Sequence, residues 1–166
     1  MKKRFFAVFC ILLMLSGCTA PKPEAEAPPE EPAEPVTKQA AIFVPDDQAE
    51  YLQGEYITVI ADEPLPEQLI AALAEAKVIP EDVEIVDCQY KLVDGKVKLD
   101  LNGAFLDALE GSGSAGEAMI LYSVVDTFLF NFPMAGSLIL TAEGECIETE
   151  HGSYGEPFTE LQYLRQ

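Results

Sequence analysis

The chain has 166 residues, with 29 Asp and Glu against 10 Lys and Arg, one His, four Cys and no Trp, for a formal net charge of −19. At 49% hydrophobic and 23% charged, it holds enough apolar material for a globular core and does not read as a disordered chain. A surface this negative repels phosphate backbones and anionic lipid, which argues against nucleic acid as a partner, and one histidine leaves little for acid–base or metal chemistry near neutral pH.

Lys2-Lys3-Arg4 precede an uninterrupted apolar run from Phe5 to Leu15, the positive start and short greasy core of an export signal. Eleven helical residues span only about 16 Å, roughly half of a bilayer's hydrocarbon, so the run is too short for a transmembrane helix. Leu15-Ser16-Gly17-Cys18 follows and looks like a bacterial lipobox. Ser16 and Gly17 are small enough for a peptidase to reach the Gly17–Cys18 bond, and the Cys18 thiol is the nucleophile that takes up a diacylglyceryl group. Two or more acyl chains, at ~0.8 kcal/mol per buried methylene, hold a protein on a membrane where one chain does not. An ordinary secretory signal with a chance cysteine is the plainer alternative. Charge, spacing and small residues together favour a lipoprotein with a signal peptide over 1–17, anchored to the membrane through Cys18 on the extracytoplasmic face. Loss of Lys2, Lys3 and Arg4 leaves seven basic side chains against 29 acidic, a balance of −22.

Residues 18–39 form the expected tether. Six of the chain's twelve prolines (Pro21, Pro23, Pro28, Pro29, Pro32 and Pro35) lie here, mixed with Glu and Ala. Such a segment cannot bury enough apolar surface to offset its ordering entropy. At ~3.1 Å per residue it reaches at most roughly 60 Å.

From residue 40 to 166 the pattern fits one domain. Ala41-Ile42-Phe43-Val44 reads as a strand stopped by Pro45-Asp46-Asp47, and Tyr51 to Ile60 as a second strand rich in β-branched and aromatic residues. Pro66 suits a first helical turn, and Leu69, Ile70, Leu73 and Ala76 form a stripe ending before Pro80. Val83 to Val93 predicts a longer strand with Val86, Cys88, Tyr90 and Leu92 inward. Asp94-Gly95 turns it into Lys96 to Asn102, whose Val97, Leu99 and Leu101 alternate with polar residues. Phe105 to Leu109 is a short helical turn. Ser114 and Glu117 have capping-box spacing and open a helix to about Asn131 that is apolar over most of its circumference, ended by Pro133. Leu138, Leu140 and Ala142 face inward on a further strand, and Glu143-Gly144-Glu145 turns it into Cys146 to Thr149. The expected architecture is a single α+β domain in the order β-β-α-β-β-α-β-β, a mainly antiparallel sheet with two helices packed on one face.

Several stretches resemble the GerMN domain of spore-germination and sporulation lipoproteins. They are Phe43-Val44-Pro45-Asp46-Asp47 with Tyr51-Leu52, the hairpin Val93 to Leu101, Phe105-Leu106, Gly113-Ser114-Ala115, Phe132-Pro133, and Leu138-Ile139-Leu140 running into Glu143-Gly144-Glu145. The resemblance covers roughly residues 40 to 160. The chain departs from the pattern in its phenylalanine-rich helix end (Phe128, Phe130, Phe132), in Met134-Ala135, and in carrying one copy of the domain. The resemblance implies a non-enzymatic envelope module similar to ring-building domains, with no catalytic residues to carry over.

Other chemistry is weaker. Gly111 to Gly116 matches G-x-G-x-x-G, but Phe105 to Glu110 separates it from the preceding strand and no cation lies nearby. His151, beside Gly152 and Ser153, suits an exposed loop better than catalysis. Asp100-x-Asn102-Gly103 is too short for an EF-hand. Cys88 and Cys146 remain once Cys10 and Cys18 are assigned to the signal. A bridge between them is allowed outside the membrane, whereas an inward Cys88 also serves as a small hydrophobe. The residues therefore predict no cofactor, no metal site and no catalytic group. They predict a lipid-anchored domain that docks on an envelope protein or on itself, through an edge strand such as Ala41 to Val44 or Cys146 to Thr149. A small-ligand or metal-binding lipoprotein and a cell-wall hydrolase or its accessory are the alternatives.

Overall fold

The computed structural model describes residues 34–90 and 95–162. Strands Thr37–Pro45 (β1) and Leu52–Ile60 (β2) pair antiparallel, with Ile42 opposite Glu55 and Ala41 opposite Tyr56. Both faces of β1 are buried, since Ala40 and Ile42 enter the main core while Ala41, Phe43 and Leu52 form a second cluster with Met119. The strand begins at Thr37, inside the stretch expected to be tether. Helix α1 (Leu65–Glu75) follows with Pro66 in its first turn and buries Leu69, Ile70 and Leu73, the stripe predicted from their spacing.

β3 (Ile85–Gln89) pairs antiparallel with β4 (Lys96–Leu101), as the hairpin reading requires, and Gly95 holds a φ of +71° that suits a residue without Cβ. Lys91 to Asp94 fall outside the described residues. β3 departs from simple alternation. A bulge between Ile85 and Asp87 re-aims the side chains, so Ile85 and Cys88 pack on the core while Val86 is 55% exposed. One extra residue in a strand shifts every side chain before it to the other face. The inward placement predicted for Val86 is thereby corrected.

α2 (Gly103–Glu110) is a helix of two turns, where the sequence suggested a single helical turn, and it buries Phe105 and Leu109 at i, i+4. α3 (Gly113–Asn131) is the long central helix and ends at Phe132-Pro133 as expected. Leu121, Val124, Val125 and Phe128 are fully buried in it, each contributing roughly 1.5–3 kcal/mol of apolar transfer. The Ser114–Glu117 capping box does not form. Ser112 occupies the N-cap position, its Oγ donating back to the Leu109 carbonyl at 2.8 Å, and Glu117 is withdrawn into the interior.

β5 (Ser137–Ala142) and β6 (Glu145–Cys146) complete a four-stranded sheet in the order β3-β4-β5-β6. The fold is α+β and mainly antiparallel, but among the described residues it holds three helices and two separate sheets. β4 and β5 run parallel and are joined by the α2–α3 crossover, a parallel pair within the otherwise antiparallel pairing. Parallel neighbours need a long connection, and two helices supply it. β1–β2 stays apart from the larger sheet because α3 lies where a third strand would pair.

Candidate interaction surface

Neither edge expected to dock is open. On β1, the Ala41 N–H donates to Asn131 Oδ1 at 3.1 Å, Asn131 Nδ2 donates to the Ala41 carbonyl at 2.6 Å, and the Phe43 N–H donates to Thr127 Oγ1 at 2.9 Å. Two side chains of α3, one turn apart, thus take up both outward groups of Ala41 and the outward N–H of Phe43. Cys146 to Thr149 is closed from within the chain. Cys146 pairs with Thr141, Glu148 pairs with Ser153, and the Tyr154 N–H donates to the Ile147 carbonyl at 2.8 Å. Further on, Phe158 and Leu138 exchange two backbone bonds of 2.8 Å each, which fills the length of β5 that the short β6 leaves uncovered.

A buried carboxyl fastens this C-terminal strap. Glu117 is fully buried, and its Oε1 accepts hydrogen bonds of 2.7 Å from Thr149 Oγ1 and 2.7 Å from Tyr154 O–H, while Oε2 is buried without a partner among the described residues. Beyond it, the Gln162 N–H donates to Asp126 Oδ1 at 2.9 Å.

β2 carries the open edge. Ala41 and Phe43 turn their peptide groups away from β2, so their opposite residues, Tyr56 and Gly54, must turn theirs outward, and Thr58 shares that parity. At the end of the strand the same side of Ile60 is taken by Gln68, whose Oε1 accepts at 2.7 Å and whose Nε2 donates at 3.0 Å. Between these limits Gly54, Tyr56 and Thr58 have no backbone partner among the described residues. Tyr56 is 76% exposed. Diagonally across the same face, Phe43 meets Phe130 edge-on with ring centroids 5.4 Å apart, and Phe130 is 43% exposed. An unpaired strand edge with an aromatic face beside it is able to accept another chain. A pattern of alternating residues does not reveal which edge a helix will cover, so sequence alone does not single out β2.

The remaining candidates resolve into structural roles. Gly17 and Cys18 lie outside the described residues. Cys88 and Cys146 are both free. They sit on β3 and β6, the two outer strands of the larger sheet, so three strand spacings, about 14 Å, separate them, against an upper Cα separation of roughly 7 Å for a bridge. The possible disulfide is thereby corrected. Burial, with Glu67 and Asp87 adding to it, pushes the Cys88 thiol up to about 12. His151 is exposed, with Nε2 3.2 Å from Glu150 Oε1. The glycine-rich stretch is the α2–α3 junction, with Gly111 ending α2 and Gly113 at a φ of +67°. Asp100 Oδ1 accepts from Thr141 Oγ1 at 2.6 Å and from the Gly144 N–H at 2.8 Å, clamping the β5–β6 turn. Among the described residues no group of three His, Cys, Asp or Glu is placed to hold a metal ion.

Comparison with known proteins agrees with this geometry. The model of the family described as Germane, sporulation and spore germination, matches residues 34–148. Among solved structures, the chain is similar to the tandem GerMN domains of the sporulation protein GerM from Bacillus subtilis. There it is 22% identical with a TM-score of 0.58, over 77% of this chain and 46% of that one. The first GerMN domain of the same protein matches at 17% identity and a TM-score of 0.54, over 74% of this chain and 97% of that one. At such identities these likenesses show the fold. A curated relative, β-ketoacyl-[acyl-carrier-protein] synthase III 1 of Lactiplantibacillus plantarum, is 30% identical over 118 residues, 66% of this chain but 35% of that protein. The chain therefore spans about a third of that relative's length. With residues 34–148 matched and the fold shared with GerMN domains, the chain belongs to the Germane family of sporulation and spore germination.

Proposed function

We propose that the chain is a non-enzymatic lipoprotein of the bacterial cell envelope, anchored through Cys18 on the extracytoplasmic face, whose Germane domain docks on an envelope protein during sporulation or germination. The observation that carries the reading is the open outer edge of β2, where Gly54, Tyr56 and Thr58 present unpaired peptide groups beside exposed aromatic rings. Backbone pairing gives such an edge affinity and the alternate side chains give it selectivity. The Leu15-Ser16-Gly17-Cys18 sequence supports the anchor, and the proline-rich stretch after it supplies reach.

The test is cross-linking in cells that make the full-length chain, followed by recovery and mass analysis. Tyr56→Pro removes one outward N–H and leaves the pairing of β2 with β1 in place, because Tyr56 does not use its peptide groups toward β1. The expected result is one stoichiometric envelope partner that is lost with Tyr56→Pro, and a Cys18→Ser variant that no longer sediments with membranes. Turnover of wall fragments by the purified chain, or recovery of the same partner with Tyr56→Pro, refutes the reading.

A further inference from the structure

A second edge is open on the far strand of the larger sheet, and its surroundings specify a different ligand. β3 has β4 on one side only. The Leu101 carbonyl accepts the Glu143 N–H at 2.8 Å on the β5 side, so Leu101 turns its peptide groups away from β3. Its opposite residue Ile85 must then turn its own away from β4. Cys88, opposite Leu99, has the same parity, and neither Ile85 nor Cys88 has a backbone partner on that side among the described residues. Alongside this edge runs α1, and between them lies an open groove of ≈ 390 Å³. Its apolar lining comes from Ile70 and Ala74 of α1 with Val83 and Ile85, and its charged lining is Glu67, Glu81 and Glu84, with no Lys or Arg among the described residues.

We propose that this α1–β3 groove takes an extended segment of a partner protein as an added strand on β3, one that alternates apolar side chains with Lys or Arg. The unpaired groups of Ile85 and Cys88 supply the backbone bonds, the apolar floor takes one side chain, and the three carboxylates select for cations at its flanks. A second copy of the chain is disfavoured by its own net charge of −19, and an anionic lipid surface is repelled by the same glutamates. The surface is separate from the β2 edge, so the two stand or fall independently.

The probe is a fluorescent peptide of alternating Lys and Val, with a Glu–Val peptide and a proline-interrupted Lys–Val peptide as controls. Binding to the full chain in non-ionic detergent is read by anisotropy, and its location by amide hydrogen exchange. The expected outcome is binding of the Lys–Val peptide alone, with new protection confined to residues 84–88. Affinity falls at least tenfold in Glu67→Lys/Glu84→Lys and in Ala71→Arg, an exposed helix position lining the groove, and is unchanged in Tyr56→Pro. Equal binding of the proline-interrupted peptide, protection elsewhere in the chain, or full affinity in both groove variants overturns the proposal. Thermal melts of each variant separate loss of the site from loss of the fold.

Discussion

The contact between α3 and the edge of β1 makes a quantitative prediction. Thr127 is fully buried and Phe43 is 2% exposed, so the 2.9 Å bond from the Phe43 N–H to Thr127 Oγ1 is made in the dry interior. Thr127→Val keeps the β-branched shape and removes the acceptor. Water cannot replace it there, so the variant bears the cost of a buried, unsatisfied N–H, about 1–3 kcal/mol. For a domain of this size that lowers the melting temperature by roughly 3–5 °C per kcal/mol. Thr127→Ser is the matched control, since it keeps the hydroxyl and loses one methyl, about 1 kcal/mol. Urea denaturation followed by far-ultraviolet circular dichroism measures both losses. Hydrogen exchange separates their causes, because the Phe43 amide loses protection in Thr127→Val and keeps it in Thr127→Ser. A Thr127→Val protein as stable as the parent, with Phe43 still protected, would falsify the account of how β1 is closed.

Further outcomes follow from Glu117 and from the two cysteines. Glu117→Ala strips Thr149 and Tyr154 of their shared acceptor and costs about 2 kcal/mol. Protease cleavage between 149 and 162 then accelerates, whereas Glu117→Gln, which keeps an Oε1 acceptor, holds the strap down; equal cleavage of all three proteins rules the tie out. The Cys88 thiol, raised from 9.0 to about 12 mainly by burial, stays protonated in the folded chain while its unfolded counterpart ionises. Its contribution to stability is complete below pH 9 and is lost as pH rises from 9 towards 12. The urea midpoint therefore falls more steeply over that window in the parent than in Cys88→Ala, and parallel curves would contradict the assignment. In alkylation at pH 8, the exposed Cys146 reacts before Cys88.

Much of the fold is legible in the sequence because one periodicity dominates each element. Leu69, Ile70 and Leu73 mark α1, Val97, Leu99 and Leu101 mark the inner face of β4, and Pro133 marks the end of α3. Where the reading and the structure part, the deciding contact is distant in sequence. Glu117 has the spacing of a capping residue, yet Thr149 and Tyr154, 32 and 37 positions away, draw its carboxyl inward. Ala41 to Val44 has the composition of an edge strand, yet Thr127 and Asn131 cover it from 84 and 90 positions away. Val86 alternates correctly and is turned outward by a bulge that no local residue type announces. The open β2 edge is the complement of these long-range contacts, which is why it becomes visible only once α3 is in place.

The parallel pairing of β4 with β5 also governs how the molecule comes together. The β1–β2 and β3–β4 hairpins can close early, because their partners are near neighbours along the chain. β5 has to find β4 across everything from 102 to 136, the greatest loop-closure entropy of any strand pair here. Its apolar Leu138 and Leu140 wait uncovered until then. A polypeptide emerging N-terminus first thus leaves β4 without its parallel partner until β5 follows, and the Phe158 strap closes over β5 after that.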